Sequence, residues 1–543
     1  MKKSSGDTGS SSRVAPTRGD ALAPPEQVRT AFAGVDPQQL ESERIHRFIL
    51  GIDDAVRVMS DAEAAEELND PFAKLLLRQG QFPTTLEEII AALERATEES
   101  DPLRRRMSFI VGEGSQIPFN EARDVHRGLR LVVTFGRDNE IDVMVSTDAS
   151  GLTNDFLQVI GWDDQKRVFH YYERLQEGWI WAGNSSHALD PRSRGQGPFD
   201  SHINGSLVLK ELKLPWNHWK SFAASMDADV FSDGDPMRTD PLFIDSSGAE
   251  VLEERVVRPG VRRWTDSRFD STVTSEEVKQ ADTLLRQLFE TTTINLVSSA
   301  TESRTLRANS KLELPPSFFL NVDELVNGPL DLAGPPDLSV SGEDYLAVLD
   351  EFDVALVDGQ FRQKGDTHFA FLVPERSVED IDVVRKCVET GLLSKRFVAC
   401  ALMVDFSNPV FSERRASLSR FAPESFTRDS PLEEAVARAI VADAESAPQG
   451  SAEREFAELW GLGEGWRAEA ERRLHGYYDA LSTRLKTRDG VRDVFRLAEA
   501  RRTKAFGLDI SERRPLLFAT STLRGSELFE MTPTATIQPA ATT

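Results

Sequence analysis

His170, His187, His202 and His218 are four of the chain's eight histidines. They fall in one short stretch, and five of the eight tryptophans fall with them: Trp162, Trp179, Trp181, Trp216 and Trp219. Tyr171 and Tyr172 join the same stretch. Imidazole is the commonest protein metal ligand and the side chain best matched to proton transfer near neutral pH. The spacing of His187, His202 and His218 does not fit one helix, so a shared site needs the loop from 186 to 204 to fold them together. As ligands they would be completed by Glu211 or Asp200, with Glu211 also suited to general-base work. Two imidazoles and a carboxylate suit non-haem iron or zinc. A single imidazole above a pocket lined by Trp181, Trp216 and Trp219 suits a b-type haem instead. With no metal, the same indole faces offer a stacking surface to a small-molecule ligand, and Asn184, Asn204 and Asp200 offer hydrogen bonds. The plain alternative is a structural one, in which histidine joins tryptophan and tyrosine at the edge of a core.

The run from Val168 to Leu175 adds a second constraint. Strand alternation puts His170, Tyr172 and Arg174 on one face and Phe169, Tyr171 and Glu173 on the other. Facing a cleft, His170 and Tyr172 would move protons or orient a substrate, and Arg174 would hold an anion. Facing solvent, they would be an ordinary polar sheet face. Other chemistry is poorly represented. Gly183-Asn184-Ser185-Ser186-His187 lacks the closing glycine of a nucleophile elbow. No Gly-x-Gly-x-x-Gly follows a strand, and no Walker A motif occurs. Two cysteines, Cys387 and Cys400, read as buried free thiols and exclude a disulfide framework or a Cys-rich metal site.

The elements that must position these residues give an α+β fold. Residues 1–36 read as a disordered Ser/Gly/Pro-rich tail. Residues 37–127 read as helical, with Ile45, Phe48, Ile49 and Ile52 at helical spacing and a capping box at Thr85 and Glu88. Residues 128–327 form an antiparallel β-rich domain: a hairpin around 131–145, then strands at 156–160, 168–175 and 179–182. Residues 225–273 read as loop and short strands. A capping box at Thr274 and Glu277 opens an amphipathic helix reaching Phe289. The Pro/Gly-rich stretch 328–342 reads as a linker. A small α/β unit follows over 343–430, in which the apolar run from Phe397 to Phe406 reads as a strand buried on both faces. Residues 431–530 are helical, and 531–543 read as a second disordered tail.

The net charge of −25 disfavours nucleic-acid partners. No run of 18 apolar residues suggests a membrane span. The expected protein is a soluble cytoplasmic enzyme with a His/Trp-rich site in 168–220, foremost a metal- or haem-dependent oxidoreductase. Hydrolysis at a metal-bound water is close behind. The alternative is a non-catalytic ligand-binding or assembly protein that uses the Trp-rich segment as an interface.

Overall fold

A computed structural model describes residues 35–111, 130–137, 139–148, 157–176, 178–207, 239–292, 294–298, 306–358, 361–364, 372–507, 519–520 and 528–540. The first half is built on one eight-stranded sheet. Its strands are β1 (Ile45–Arg47), β2 (Arg57–Val58), β3 (Arg106–Val111), β4 (Arg130–Arg137), β5 (Glu140–Asp148), β6 (Leu157–Asp163), β7 (Val168–Leu175) and β8 (Gly178–Asn184). β4 to β8 form the antiparallel meander that the period-two patterning predicts, and β3, which lies in the stretch 37–127 read as helical, is a strand that pairs antiparallel with β4 at the sheet edge. β1 then joins the outer edge of β8 in parallel, and β2 pairs with β1. Asn139, Arg167 and Gln176 take positive φ at the hairpin turns. The chain is thus α+β, with the sheet in the first half and helices dominating the C-terminal region. No helix among the described residues is long and apolar enough to cross a membrane.

Three helices follow β1 and β2 in this half: α1 (Asp61–Glu67), α2 (Pro71–Leu75) and α3 (Leu86–Ala96). α2 packs on β5 and β6. α3 starts as its capping box predicts, with Thr85 Oγ1 accepting from the Glu88 amide at 3.2 Å. It buries Leu86, Ile89, Ala92 and Leu93. A short helix, α4 (Ser185–Leu189), continues directly from β8.

Several elements differ from their sequence patterns for identifiable reasons. The helical spacing of Ile45, Phe48 and Ile49 arises in β1 and the turn after it. Ile45, His46 and Arg47 pair with Trp179, Ile180 and Trp181, and the chain then curls so that Phe48 and Ile49 return to the core. The run from Phe397 is a helix, Lys395–Leu402, capped by Ser394 Oγ at 3.2 Å from the Phe397 amide. It is apolar all round because it is buried all round, a state a helix shares with a central strand. Thr274 does accept from the Glu277 amide at 3.0 Å, but that turn opens the short strand Glu277–Lys279. The helix begins only at Ala281, after Gln280 in the left-handed region. Residues read as loop before 273 contain the helix Arg258–Thr272. It is entered through a π turn at Glu253–Val257, one residue before Pro259. The extra residue of a π turn relieves the clash that proline brings to a regular helix. The stretch 531–540, read as part of a disordered tail, carries a hairpin: Phe529–Met531 pairs with Ile537–Pro539. Asn408 fixes this hairpin by bonding both the amide and the carbonyl of Met531 at 2.9 Å.

Two hydrophobic cores result, one spanning Ile45 to Trp264 and the other Phe269 to Ala535. Trp264 and Phe269 lie on the same helix, so that helix belongs to both cores. Within the stretch 328–342, Leu330, Leu332, Leu338 and Val340 are buried in the second core. Cys387 and Cys400 are free and buried, and burial pushes both thiols up to about 12.

Candidate functional site

β7 is buried at every position, so both faces of its His-Tyr-Tyr-Glu-Arg run lie inside the protein. The polar sheet face considered from sequence is therefore covered. On one side Tyr172 Oη donates to Asp70 Oδ2 at 2.5 Å. Asp70 is fully buried and caps α2, its Oδ1 accepting from the Ala73 amide at 3.2 Å. Burial pushes the Asp70 carboxyl above its ordinary range, against the opposing pull of His170 and Tyr172. Burial and the neighbouring Asp70 raise the Tyr172 phenol further, which keeps it a donor. Phe72, the second residue of α2, meets Tyr172 and Trp179 edge-on at 5.4 and 5.0 Å.

His170 sits beside this pair. The Trp181 indole N–H donates to His170 Nδ1 at 3.0 Å. An indole nitrogen can only donate, so Nδ1 is the bare nitrogen and the ring proton is on Nε2. Nε2 faces Asp163 Oδ2 at 3.3 Å. The other Asp163 oxygen accepts the Gln165 and Lys166 amides at 2.8 and 2.9 Å. Burial works against the Asp163 carboxylate, but the bonds from His170, Lys166 and Gln165 outweigh it and hold the group below its usual range. Both ring nitrogens of His170 are thus occupied and the side chain has no exposed surface. Gly161 makes room for Asp70: a Cβ there would sit 2.2 Å from Asp70 Oδ1. Gly161→Ala is expected to cost about 1–3 kcal/mol by overpacking, read as a lower urea midpoint with an unchanged slope.

The remaining predicted residues are distributed as follows. His187 closes a capping box at the start of α4: its Nδ1 accepts from the Asn184 amide at 3.1 Å. Burial, with Arg47 and His170 nearby, lowers its pKa to about 4. Its ring lies edge-on to Trp181 at 5.8 Å. His202 lies against Tyr171 at 5.1 Å. Glu211, Trp216, His218 and Trp219 lie outside the described residues. His170, Tyr172, Trp181 and His187 are therefore brought together, while His202 stands against a residue of the opposite face of β7. Among the described residues, no three His, Cys, Asp or Glu side chains are grouped to hold a metal ion. The crowding of tryptophans has a direct account, since the three described indoles of that stretch donate inside the fold: Trp162 to Asp164, Trp179 to the Pro83 carbonyl and Trp181 to His170.

The other face of β7 carries a cavity of about 40 Å³ within a hollow of about 630 Å³ that runs out to solvent. Its polar lining is Arg130, Ser146, Gln158, Glu173, His202 and the two tyrosines Tyr171 and Tyr172. Val132, Met144 and Ile160 supply the apolar floor, and Pro198 of the segment after α4 supplies part of the wall. Register explains the polar row: Ser146 pairs with Gln158, and Gln158 with Glu173, on three neighbouring strands. Gln158 Nε2 donates to Glu173 Oε2 at 3.2 Å. Tyr171 Oη is engaged elsewhere, donating to the Ser206 carbonyl at 3.0 Å, so it offers the cavity its ring. Ser146, Gln158 and Arg130 were not singled out from sequence, because an inward polar row becomes visible only once the register is known.

No family model, no curated protein and no solved structure matches this chain. The functional reading therefore rests on the cavity and its lining.

Proposed function

We propose that the chain is a ligand-binding protein whose small-molecule ligand occupies the cavity against β4 to β8. The observation that carries this reading is the row Ser146, Gln158 and Glu173 on an otherwise apolar floor. A few convergent polar groups in an apolar hollow are the usual make-up of a ligand site. The cavity is the better candidate than the His170 and Tyr172 cluster. The imidazole nitrogens of His170 and the Tyr172 hydroxyl are spent on partners in the core, whereas the cavity opens to solvent. At about 10–15 Å³ per water-sized group, the enclosed part takes about three or four non-hydrogen atoms.

Ala182 lines the cavity and is itself buried. Ala182→Leu is expected to fill the space, keep the fold and abolish ligand uptake. Native mass spectrometry of the purified protein, with and without the substitution, reads this directly. A bound mass shared unchanged by both proteins would place the ligand elsewhere. A more stable variant from a protein that carries and takes up no ligand would make the cavity a packing defect.

A further inference from the structure

The phenol and indole protons of this chain face two kinds of partner. Tyr171, Tyr477 and Tyr478 donate to the Ser206, Phe319 and Ala333 carbonyls. Trp179 and Trp264 donate to the Pro83 and Asn204 carbonyls. An amide carbonyl accepts a hydrogen bond but is too weak a base to keep the proton. Trp162 faces a carboxylate, that of Asp164, but Asp164 stands in solvent. Tyr172 and Trp181 differ from all of these. The Tyr172 hydroxyl donates to buried Asp70, both of whose oxygens accept, as in an ionised carboxylate. The Trp181 indole donates to the bare Nδ1 of buried His170, whose other nitrogen faces Asp163. Tyr172 and Trp181 are also register partners on β7 and β8, which puts their Cβ atoms about 4.5–5.5 Å apart on one face. The His170 ring adjoins both, at 6.3 Å from Tyr172 and 5.8 Å from Trp181. The two rings are 2 % and 0 % exposed, a covering that electrons tunnel through and solvent protons do not cross.

We propose that Tyr172 and Trp181 form a one-electron redox site, each with its own internal proton acceptor, that gives an electron to a one-electron oxidant in solution and regains it from a dissolved reductant such as ascorbate. At Tyr172 the electron goes to the oxidant, the Oη–H bond breaks and the proton passes to Asp70 Oδ2. A neutral phenoxyl radical and a carboxylic acid remain. At Trp181 the electron goes to the oxidant and the Nε1 proton passes to His170 Nδ1. A neutral indolyl radical remains, with an imidazolium whose Nε2 proton faces the Asp163 carboxylate. Reduction returns one electron, and the proton goes back along the same hydrogen bond. No proton enters or leaves the core. The energetic reason is charge burial. Oxidising a buried ring that keeps its proton leaves a cation in a dry core, which is strongly disfavoured. Here each step removes buried charge instead. The Tyr172–Asp70 pair passes from one net negative charge to none, and so does the Trp181–His170–Asp163 chain. The Arg47 guanidinium, 5.4 Å from the Trp181 ring, acts in the same direction by opposing a positive charge kept on the indole.

The test is flash oxidation of the full chain by tris(bipyridyl)ruthenium(III), generated by light with a cobalt(III) ammine as the electron sink. Transient absorption and electron paramagnetic resonance separate tyrosyl from tryptophanyl radicals. The natural chain is expected to give both, and ascorbate to erase both and leave the mass of the protein unchanged. Tyr172→Phe is expected to remove the tyrosyl signal, and Trp181→Phe the tryptophanyl one. Asp70→Asn and His170→Gln keep an acceptor for the hydrogen bond but no base for the proton. Each is expected to lower the yield of its own radical by roughly 10-fold or more, since the ring must then oxidise with its proton in place. A merely structural role would leave these yields alone. Tyr172→Phe removes one hydroxyl and keeps the Asp70 cap, so it decides the matter if the other variants fail to fold. No radical in the natural chain overturns the site, and so does a tyrosyl signal that survives Tyr172→Phe. Yields unchanged in Asp70→Asn and His170→Gln overturn the internal proton acceptors. A permanent oxygen adduct on Trp181 in place of recovery overturns the reversible step.

Discussion

Asp70→Ala is expected to destabilise the protein by about 3 kcal/mol, the sum of a lost helix cap and an orphaned buried hydroxyl. The first part comes from the Ala73 amide, which loses its acceptor at the start of α2. The second comes from Tyr172, whose Oη keeps no partner for its proton in a site with almost no solvent. Tyr172→Phe should cost less, about 1 kcal/mol, since the cap survives and the orphaned group is removed with its bond. Urea unfolding at neutral pH gives both values, and equal costs for the two variants would break the account. The pH dependence has a definite sign. The folded pKa of Asp70 lies above its ordinary 3.8, so its contribution is fully present below that pH and is lost as pH rises through the raised value. Asp163 acts in the opposite sense: held low, it stabilises above 3.8 and ceases to do so as pH falls through its folded value. Asp70→Asn, which cannot ionise, should therefore compare worst with the natural chain at acid pH and best as the pH rises.

Arg376→Met is expected to cost about 3–5 kcal/mol, the range for breaking a buried ion pair from one side. Arg376 and Glu324 are buried to within 2 % of full exclusion, with Arg376 Nη1 at 3.2 Å from Glu324 Oε1. Asp380 lies on the other side, at 3.8 Å from Arg376 Nη2. Burial pushes both the Glu324 and Asp380 carboxyls up, and Arg376 opposes that shift in each case. Removing the guanidinium thus takes a neighbouring positive charge from two buried carboxylates at once, with Asp380 keeping only its neutral donors from Thr292 and Gln287. Glu324→Gln should cost less, because Arg376 keeps Asp380 and its bonds to the Gln287 and Glu290 carbonyls. A calorimetric unfolding series with the single and double variants separates the two cases. A glutamine variant that is the worse of the two would contradict the assignment of Arg376 as the shared partner.

Strands were the most legible part of this chain. Arg130–Arg137 and Glu140–Asp148 alternate, and the three strands after them were marked by the polar turns between them and by their aromatic residues, although both faces of β7 end up covered. The helix Lys395–Leu402 was read as a strand because full burial erases the one-sided pattern that separates the two periods. β1 was read as helix because three residues in a strand, followed by a curl, reproduce an i, i+3, i+4 spacing without one. The concentration of histidine and tryptophan was legible at once, but its meaning depended on partners a hundred residues away. Tyr172 needed Asp70, and Trp179 needed the Pro83 carbonyl. Asp70-Pro71 does carry a local signal, an N-cap followed by proline at the first helical position. That signal announces a helix start, not a buried carboxyl beneath a sheet. The cavity was illegible for a different reason, since Ser146, Gln158 and Glu173 become neighbours only through the register of three strands.

The parallel pairing of β1 with β8 sets an order of events during synthesis. β1 leaves the ribosome early, yet the strand it needs follows about 130 residues later, which at 5–20 residues per second is a delay of about 7–26 s. For that interval Ile45, His46 and Arg47 have no sheet to join, while β3 to β7 can pair with one another as each emerges. The nascent sheet therefore grows from its far edge toward β8, and the N-terminal segment closes it last. A chaperone or a neighbouring nascent chain that captures an unpaired strand edge has its opening at this step.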